Sequence, residues 1–377
     1  MKVSKDECKK NEFKECKKCE KKEIKPECKI EEKKCKKDKE TVVWTDNFSN
    51  FAVGNNKPYF YQADPVSGYT CDDGVTTTNI SNSELNINSA VFTKSTVGVL
   101  DHPKYLIFAK DAFVAPTGSP SEDGKCVPEL VFRASIKGKQ LHVSPVPNQY
   151  RSTSSNDGGV DDPEDDPRVA SGALNMVDFN TNIVADFIIT NKKIFALYER
   201  LPFQWPEFGG SLNHYHAFTH VVPVMNRSAN DDYIKLEIAY HRPSNRLRWI
   251  INDQEVFRVT RIGYALSTRG SRVLDLGGEP TGVDPVSFSL GFGTFQLPDM
   301  TQCNNAAGLS NSALIQLNPV PPFPPNLDPV VQKNPDGSDR LLTFKAPLDT
   351  PAMFNYGQGM TISIKAPTVV HREYNGY

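Results

Sequence analysis

"YIKLEIAYHRPSNRLRWIINDQEVFRVTRIG", residues 233–263, reads as three short strands joined by two turns. Ile234, Leu236, Ile238 and Tyr240 fall on every second position, so they share one face of an extended chain while Lys235, Glu237 and His241 do not follow them inward. Leu247, Trp249 and Ile251 alternate in the same way with Arg246, Arg248 and Asn252. "RPSN" and "IINDQE" supply turn residues between the runs, which makes the segment an antiparallel meander with one buried and one wet face.

The same texture extends in both directions. "YLIFA", "ELVFRASI", "IVADFIIT", "KIFALYERL", "VSFSLGFGTFQL", "SALIQL", "LLTFKA" and "MTISIKAPTVV" are short runs rich in Val, Ile, Phe and Tyr, bounded by Gly, Pro, Asn or Asp. With 28 Pro, 24 Gly and no alternation of strands with amphipathic helices, the expected fold is all-β: a jelly-roll sandwich of two antiparallel sheets in one domain, residues 41–377. An apolar fraction of 38% in 377 residues is enough for such a core. Two polar stretches interrupt it, 148–168 and the Pro-rich 317–339; the second is expected to run as an extended strap rather than a central strand.

Residues 1–40 have a different character. Cys8, Cys16, Cys19, Cys28 and Cys35 lie there among 16 Lys and 11 Asp plus Glu, a net charge of +5, which leaves −7 for residues 41–377. Few aliphatics, no heptad and a proline at position 26 predict a disordered or extended arm. An acidic body argues against nucleic acid as a partner. Met1 is followed by "KVSKDECKK" without an apolar run, so no signal peptide is expected, and no window approaches the roughly 18 apolar residues of a membrane span. Synthesis in the cytosol follows as an expectation.

The body resembles the DUF6081 family of uncharacterised proteins in "DDGVTTT" (72–78), "LDHPKYLIF" (100–108), the long block 165–203, "LRWIINDQEVFRVTRIGY" (247–264) and "FNYGQGMTISI" (354–364). The resemblance covers most of residues 42–370 and implies a concanavalin-like fold. It implies no activity and brings no catalytic residues, and the arm lies outside it.

Laminarinase-type glycosidases share that architecture and need two carboxylates about 5 Å apart, which one strand supplies as Glu-x-Asp-x-Glu. The nearest string, Glu164, Asp166 and Arg168, sits between Pro163 and Pro167 and cannot be a central strand, so no catalytic residue is assigned. Asp161, Asp162, Glu164, Asp165 and Asp166 are candidate oxygen ligands for Ca²⁺, although a solvated acidic loop is the simpler reading. His214, His216 and His220 raise the question of zinc, with a wet sheet face or a subunit contact as the simpler reading. Trp205, Phe208, Tyr215, Trp249 and Tyr264 could stack on sugars if exposed, or be core. No cofactor is expected.

The cysteines decide the functional expectation. Cys16 and Cys19 form a lone CxxC without the second pair of a zinc knuckle and without the βαβ frame of a redox motif. The arm has five cysteines and the body three, Cys71, Cys126 and Cys303. Both numbers are odd, so full oxidation requires a bond from arm to body or between chains. Neighbouring lysines lower thiol pKa values and speed exchange. A reducing cytosol does not keep disulfides, so oxidation would follow release by lysis, as in spore coats, exosporium, spore appendages and capsids of large lytic viruses. The expected protein is a self-assembling surface or filament brick with a disulfide connector. Its partners are other copies of itself, other coat or surface proteins and glycans, and its final location is extracellular, on a spore or particle. The last strand, within "MTISIKAPTVVHREYNGY", either closes its own sheet or is donated to a neighbour.

Overall fold

The computed structural model describes residues 39–62, 76–90, 92, 103–117, 127–143, 162–167, 169–206, 209–228, 230–295, 328–333, 339–345 and 358–373. In chain order the strands are β1 (Glu40–Thr45), β2 (Tyr59–Tyr61), β3 (Thr77–Ser81), β4 (Glu84–Ser89), β5 (Pro103–Val114), β6 (Pro128–Leu141), β7 (Ser171–Asp178), β8 (Ile183–Ile189) and β9 (Lys193–Arg200). They continue as β10 (Ala217–Asn226), β11 (Ile234–His241), β12 (Arg246–Ile251), β13 (Gln254–Val259), β14 (Arg272–Gly277), β15 (Ser287–Phe295), β16 (Asp328–Lys333), β17 (Asp339–Lys345) and β18 (Gly359–Glu373).

Two eight-stranded antiparallel sheets form the sandwich. The first runs β13-β12-β11-β6-β18-β4-β3, with β1 also paired to β18, and the second runs β14-β10-β9-β8-β7-β15-β5-β2. The jelly-roll reading holds, and so does the meander: β11, β12 and β13 are neighbours, and Asn252 and Asp253 at the β12–β13 turn both adopt the left-handed conformation of a two-residue hairpin.

Alternation places the core. Leu130, Phe132, Ala134 and Ile136 of β6, Ile234, Leu236, Ile238 and Tyr240 of β11, and Leu247, Trp249 and Ile251 of β12 face Leu174, Met176, Ala185, Phe187, Ala196, Tyr198 and Phe292 of the second sheet. Gly138 and Gly172 sit where Met360 and Ile362 cross between the sheets, and a Cβ at either glycine would collide with them. β18 lies in the middle of the first sheet, between β6 on one side and β4 and β1 on the other, so the last strand closes its own sheet.

Two expectations need correction. Part of the Pro-rich strap, Asp328–Lys333, is a strand that pairs with Asp339–Lys345 in a separate hairpin. Such a hairpin has only edges, which is where a proline such as Pro329 is tolerated. The outer face of the meander and its neighbour β6 is charged but not simply wet: Glu129 of β6 and Glu237 of β11 are fully buried there. Arg248 donates to both oxygens of Glu129 at 2.6 and 2.7 Å, and Arg372 bridges Glu129 at 2.8 Å and Glu237 at 2.5 Å. Arg133 joins Glu237 to Glu40 of β1, each at 2.6 Å. Burial acts to raise the Glu237 carboxyl, but the charges of Arg372 and Arg133 outweigh it and hold it below the usual range.

Candidate functional site

The eight cysteines all lie outside the described residues, as do Asp161, Arg168 and Phe208. What the structure does place is the root of the arm. β1 begins at Glu40 and pairs antiparallel to the outer half of β18, from Glu40 opposite Arg372 to Thr45 opposite Thr368. It is an edge strand with most of its side chains exposed, Val42 at 61%. Glu40 is held by Arg133, and Trp44 packs 5.7 Å from Phe113 of the core. The sandwich holds the chain just after the cysteine-rich segment ends, Cys35 being five residues before Glu40.

The acidic loop is tied to lysines. Residues 162–167 form turns rather than a strand. Lys192 reaches Asp162 at 2.6 Å and Glu164 at 3.1 Å, and Lys193 reaches Asp165 at 2.5 Å. The Lys192 hydrogen bond is the main cause of the lowered Asp162 pKa. Gln140, buried under the loop, donates to the carbonyls of Pro163 at 3.1 Å and Ala170 at 2.6 Å, while Asn191 brackets its backbone. Three of the proposed calcium ligands, Asp162, Glu164 and Asp165, therefore point at cations already, and no group of three or more potential metal ligands is gathered among the described residues.

The histidines are not brought to one ion. His214 packs edge-on against Trp205, and His216 is hydrogen-bonded to Asp275 at 2.8 Å. His220 is buried, and its Nε2 accepts the Leu266 amide at 3.1 Å. Nδ1 therefore carries the proton, facing Ser271 Oγ at 3.1 Å. Burial pushes His220 down to about 4, so it is neutral at physiological pH.

The aromatic residues proposed for sugar stacking are mostly structural. Trp205, Tyr215 and Trp249 are buried. Trp205 Nε1 donates to the Tyr215 carbonyl at 3.0 Å, Tyr215 Oη donates to the Leu201 carbonyl at 2.5 Å, and Trp249 Nε1 donates to the Asp186 carbonyl at 2.8 Å. Tyr264 is half-buried beneath Arg261, 4.3 Å from its ring centre.

Sequence reasoning missed a carboxyl pair. Asp186 of β8 and Glu199 of β9 lie on the outer face of the second sheet, among Val184, Ile188, Phe195 and Leu197. Asp186 accepts the Asn175 amide at 2.6 Å and the Met176 backbone N–H at 3.2 Å, and Glu199 accepts the Thr219 hydroxyl. Burial raises both carboxyls, Glu199 to about 7 and Asp186 well above its usual value, the latter helped by the charge of Glu199. The one signal was a single Asp in the apolar run "IVADFIIT".

No helix among the described residues is long and apolar enough to cross a membrane. Sheet order, alternation and a shared core define an all-β protein of the concanavalin-like sandwich class. Within it, residues 45–373 match the model of DUF6081, a family of unknown function, and the chain belongs to that family. It is 31% identical over 379 residues to uncharacterized protein L829 of Acanthamoeba polyphaga mimivirus, covering 81% of this chain and 83% of that one. Among solved structures, the LamAcat protein of Zobellia galactanivorans is 10% identical with a TM-score of 0.39, over 87% of this chain and 97% of that one. An endo-1,3-beta-glucanase of Streptomyces sioyaensis is 9% identical with a TM-score of 0.39, over 88% and 96%. Likeness at this level says nothing about activity.

Proposed function

We propose that this protein is a structural brick of a particle or filament surface rather than an enzyme. In this reading the sandwich is the building block, and residues 1–40 are a connector that forms disulfides to a neighbouring chain. The carrying observation is the crowding of five cysteines into residues 8–35, directly before a strand that the body holds through Glu40 and Trp44. A thiol on such a segment can reach another subunit without any new buried core.

Three further points support it. Asp162, Glu164 and Asp165 of the acidic loop are paired with Lys192 and Lys193, and most of the aromatics considered for a glycan are committed to packing. The viral relative suits assembly inside a host cell followed by oxidation on release, which makes a virus particle a more natural setting than a spore.

The full chain, oxidised after purification, should run as a ladder on a non-reducing gel and collapse to monomer with strong reductant. Changing Cys8, Cys16, Cys19, Cys28 and Cys35 to Ser should abolish the ladder while leaving the thermal transition of the sandwich in place. A ladder that survives those changes would show that residues 1–40 are not the connector.

A further inference from the structure

We infer that the β3 edge of the first sheet pairs antiparallel with the β3 of a second copy, joining two sandwiches through a continuous sheet. This deepens the proposed assembly but is carried by a different part of the molecule.

An open sheet edge is a template for another strand, and folded proteins usually guard it with charge, proline, a bulge or brevity. The edges among the described residues show those guards, with one exception. β13 carries Glu255 and Arg258 and has a register shift against β12 between Trp249 and Ile250. β14 carries Arg272 and Asp275 and is bulged twice against β10. β1 carries Glu40 and a register shift between Val42 and Trp44, and β2 is only three residues long. The separate hairpin has Pro329 and charged residues on both strands. β3, "TTNIS", has no charge, no proline and no register shift against β4, and all five of its residues are exposed, Ile80 at 36%.

The hairpin geometry says which groups face outward. Asn82 and Ser83 both adopt positive φ, which makes the β3–β4 connection a two-residue turn flanked by the hydrogen-bonded pair Ser81 and Glu84. Alternation along an antiparallel ladder then turns the backbone groups of Ser81, Asn79 and Thr77 toward β4 and those of Thr78 and Ile80 away from it.

A two-fold axis beside Asn79 would set Thr78 of each chain opposite Ile80 of the other, and each such pair exchanges two backbone hydrogen bonds. Self-pairing suits this strand because no like charges meet. Ile80 lies opposite Leu85 and Thr78 opposite Ile87, so in this register Ile80 of each chain meets the Thr78 methyl of the other, with buried Leu85 and Ile87 in the flanking strands. A five-residue strand pair buries less than a stable interface needs by itself. Its role would be to set geometry, with covalent links between arms supplying durability through effective concentration.

The test uses the full chain in strong reductant, so that arm disulfides play no part. Sedimentation velocity from micromolar to hundreds of micromolar should show a concentration-dependent dimer. Ile80→Lys and Ile80→Glu should each weaken it by about tenfold or more, and an equimolar mixture of the two should restore it. Amide exchange should show Thr78 and Ile80 becoming protected as wild-type chain is concentrated, a readout that survives even if a charge at position 80 disturbs the hairpin. A wild-type chain that stays monomeric, or a dimer indifferent to position 80 with both amides unprotected, overturns the inference. Either result leaves the disulfide connector standing, just as failure of the gel ladder would leave this contact standing.

Discussion

Replacing Arg372 by methionine should lower the unfolding free energy by about 3 kcal/mol or more, an effect that belongs to the charge cluster and not to the loss of one surface ion pair. Glu129 and Glu237 are fully buried, and Arg372 touches both. Its removal leaves two carboxylates away from water with only part of their compensation, Arg248 for the first and Arg133 with Lys235 for the second. Adding Glu129→Gln and Glu237→Gln should recover much of the loss, because a neutral trio no longer demands a counter-charge. The comparison is Lys365→Ala, which removes a largely exposed ammonium 3.3 Å from Glu84 and 4.0 Å from the Tyr233 ring centre and should cost about 1 kcal/mol. Urea titrations of the four proteins decide it. An Arg372→Met cost as small as that of Lys365→Ala would show that the cluster is solvated.

Glu199→Gln should stabilise the protein at pH 8 and leave it unchanged near pH 4. The folded-state pKa of Glu199 is raised to about 7 by burial, from an ordinary value of 4.5. Between those values the folded chain keeps a proton that the unfolded chain has released, so stability falls as pH rises through this window. The full shift corresponds to about 3 kcal/mol, an upper bound because Glu199 keeps some contact with solvent. Glutamine retains an oxygen for the Thr219 hydroxyl and carries no charge at any pH. His220 works in the opposite direction: its pKa, lowered to about 4, adds stability as pH rises from there toward 6.5. The contributions of Glu199 and His220 therefore oppose each other in the wild type, and the stability of the variant relative to the wild type should rise from pH 4.5 to pH 7. Parallel pH profiles for the two proteins would contradict the assignment.

The alternation of residues 234–251 was legible because each strand is buried on one side, and period two is then written in the sequence. β3 and β4 were not, since "TTNISNSELNINS" is polar at most positions and turns on Asn82-Ser83 rather than the more familiar Asn-Gly. The charge cluster could not be read either. Glu129 and Arg372 lie 243 residues apart, and only the central placement of β18 beside β6 brings them together. The acidic loop offers candidate cation ligands, or a solvated surface, until Lys192 and Lys193 at the start of β9 reach it, about thirty residues further on. Asp186 and Glu199 sit in runs whose periodicity is right; what the sequence lacks is the fact that the second sheet's outer face is also buried.

The proposed arm joins chains covalently. The direct measurement is a non-reducing gel of assembled material from its native source beside a reducing one, with mass spectrometry of the cross-linked peptides. A disulfide connector should give high-molecular-weight species that reductant dissolves, and peptides linking Cys8, Cys16, Cys19, Cys28 or Cys35 of one chain to another chain. Monomer in both lanes, with those five thiols free or holding a metal, would contradict it.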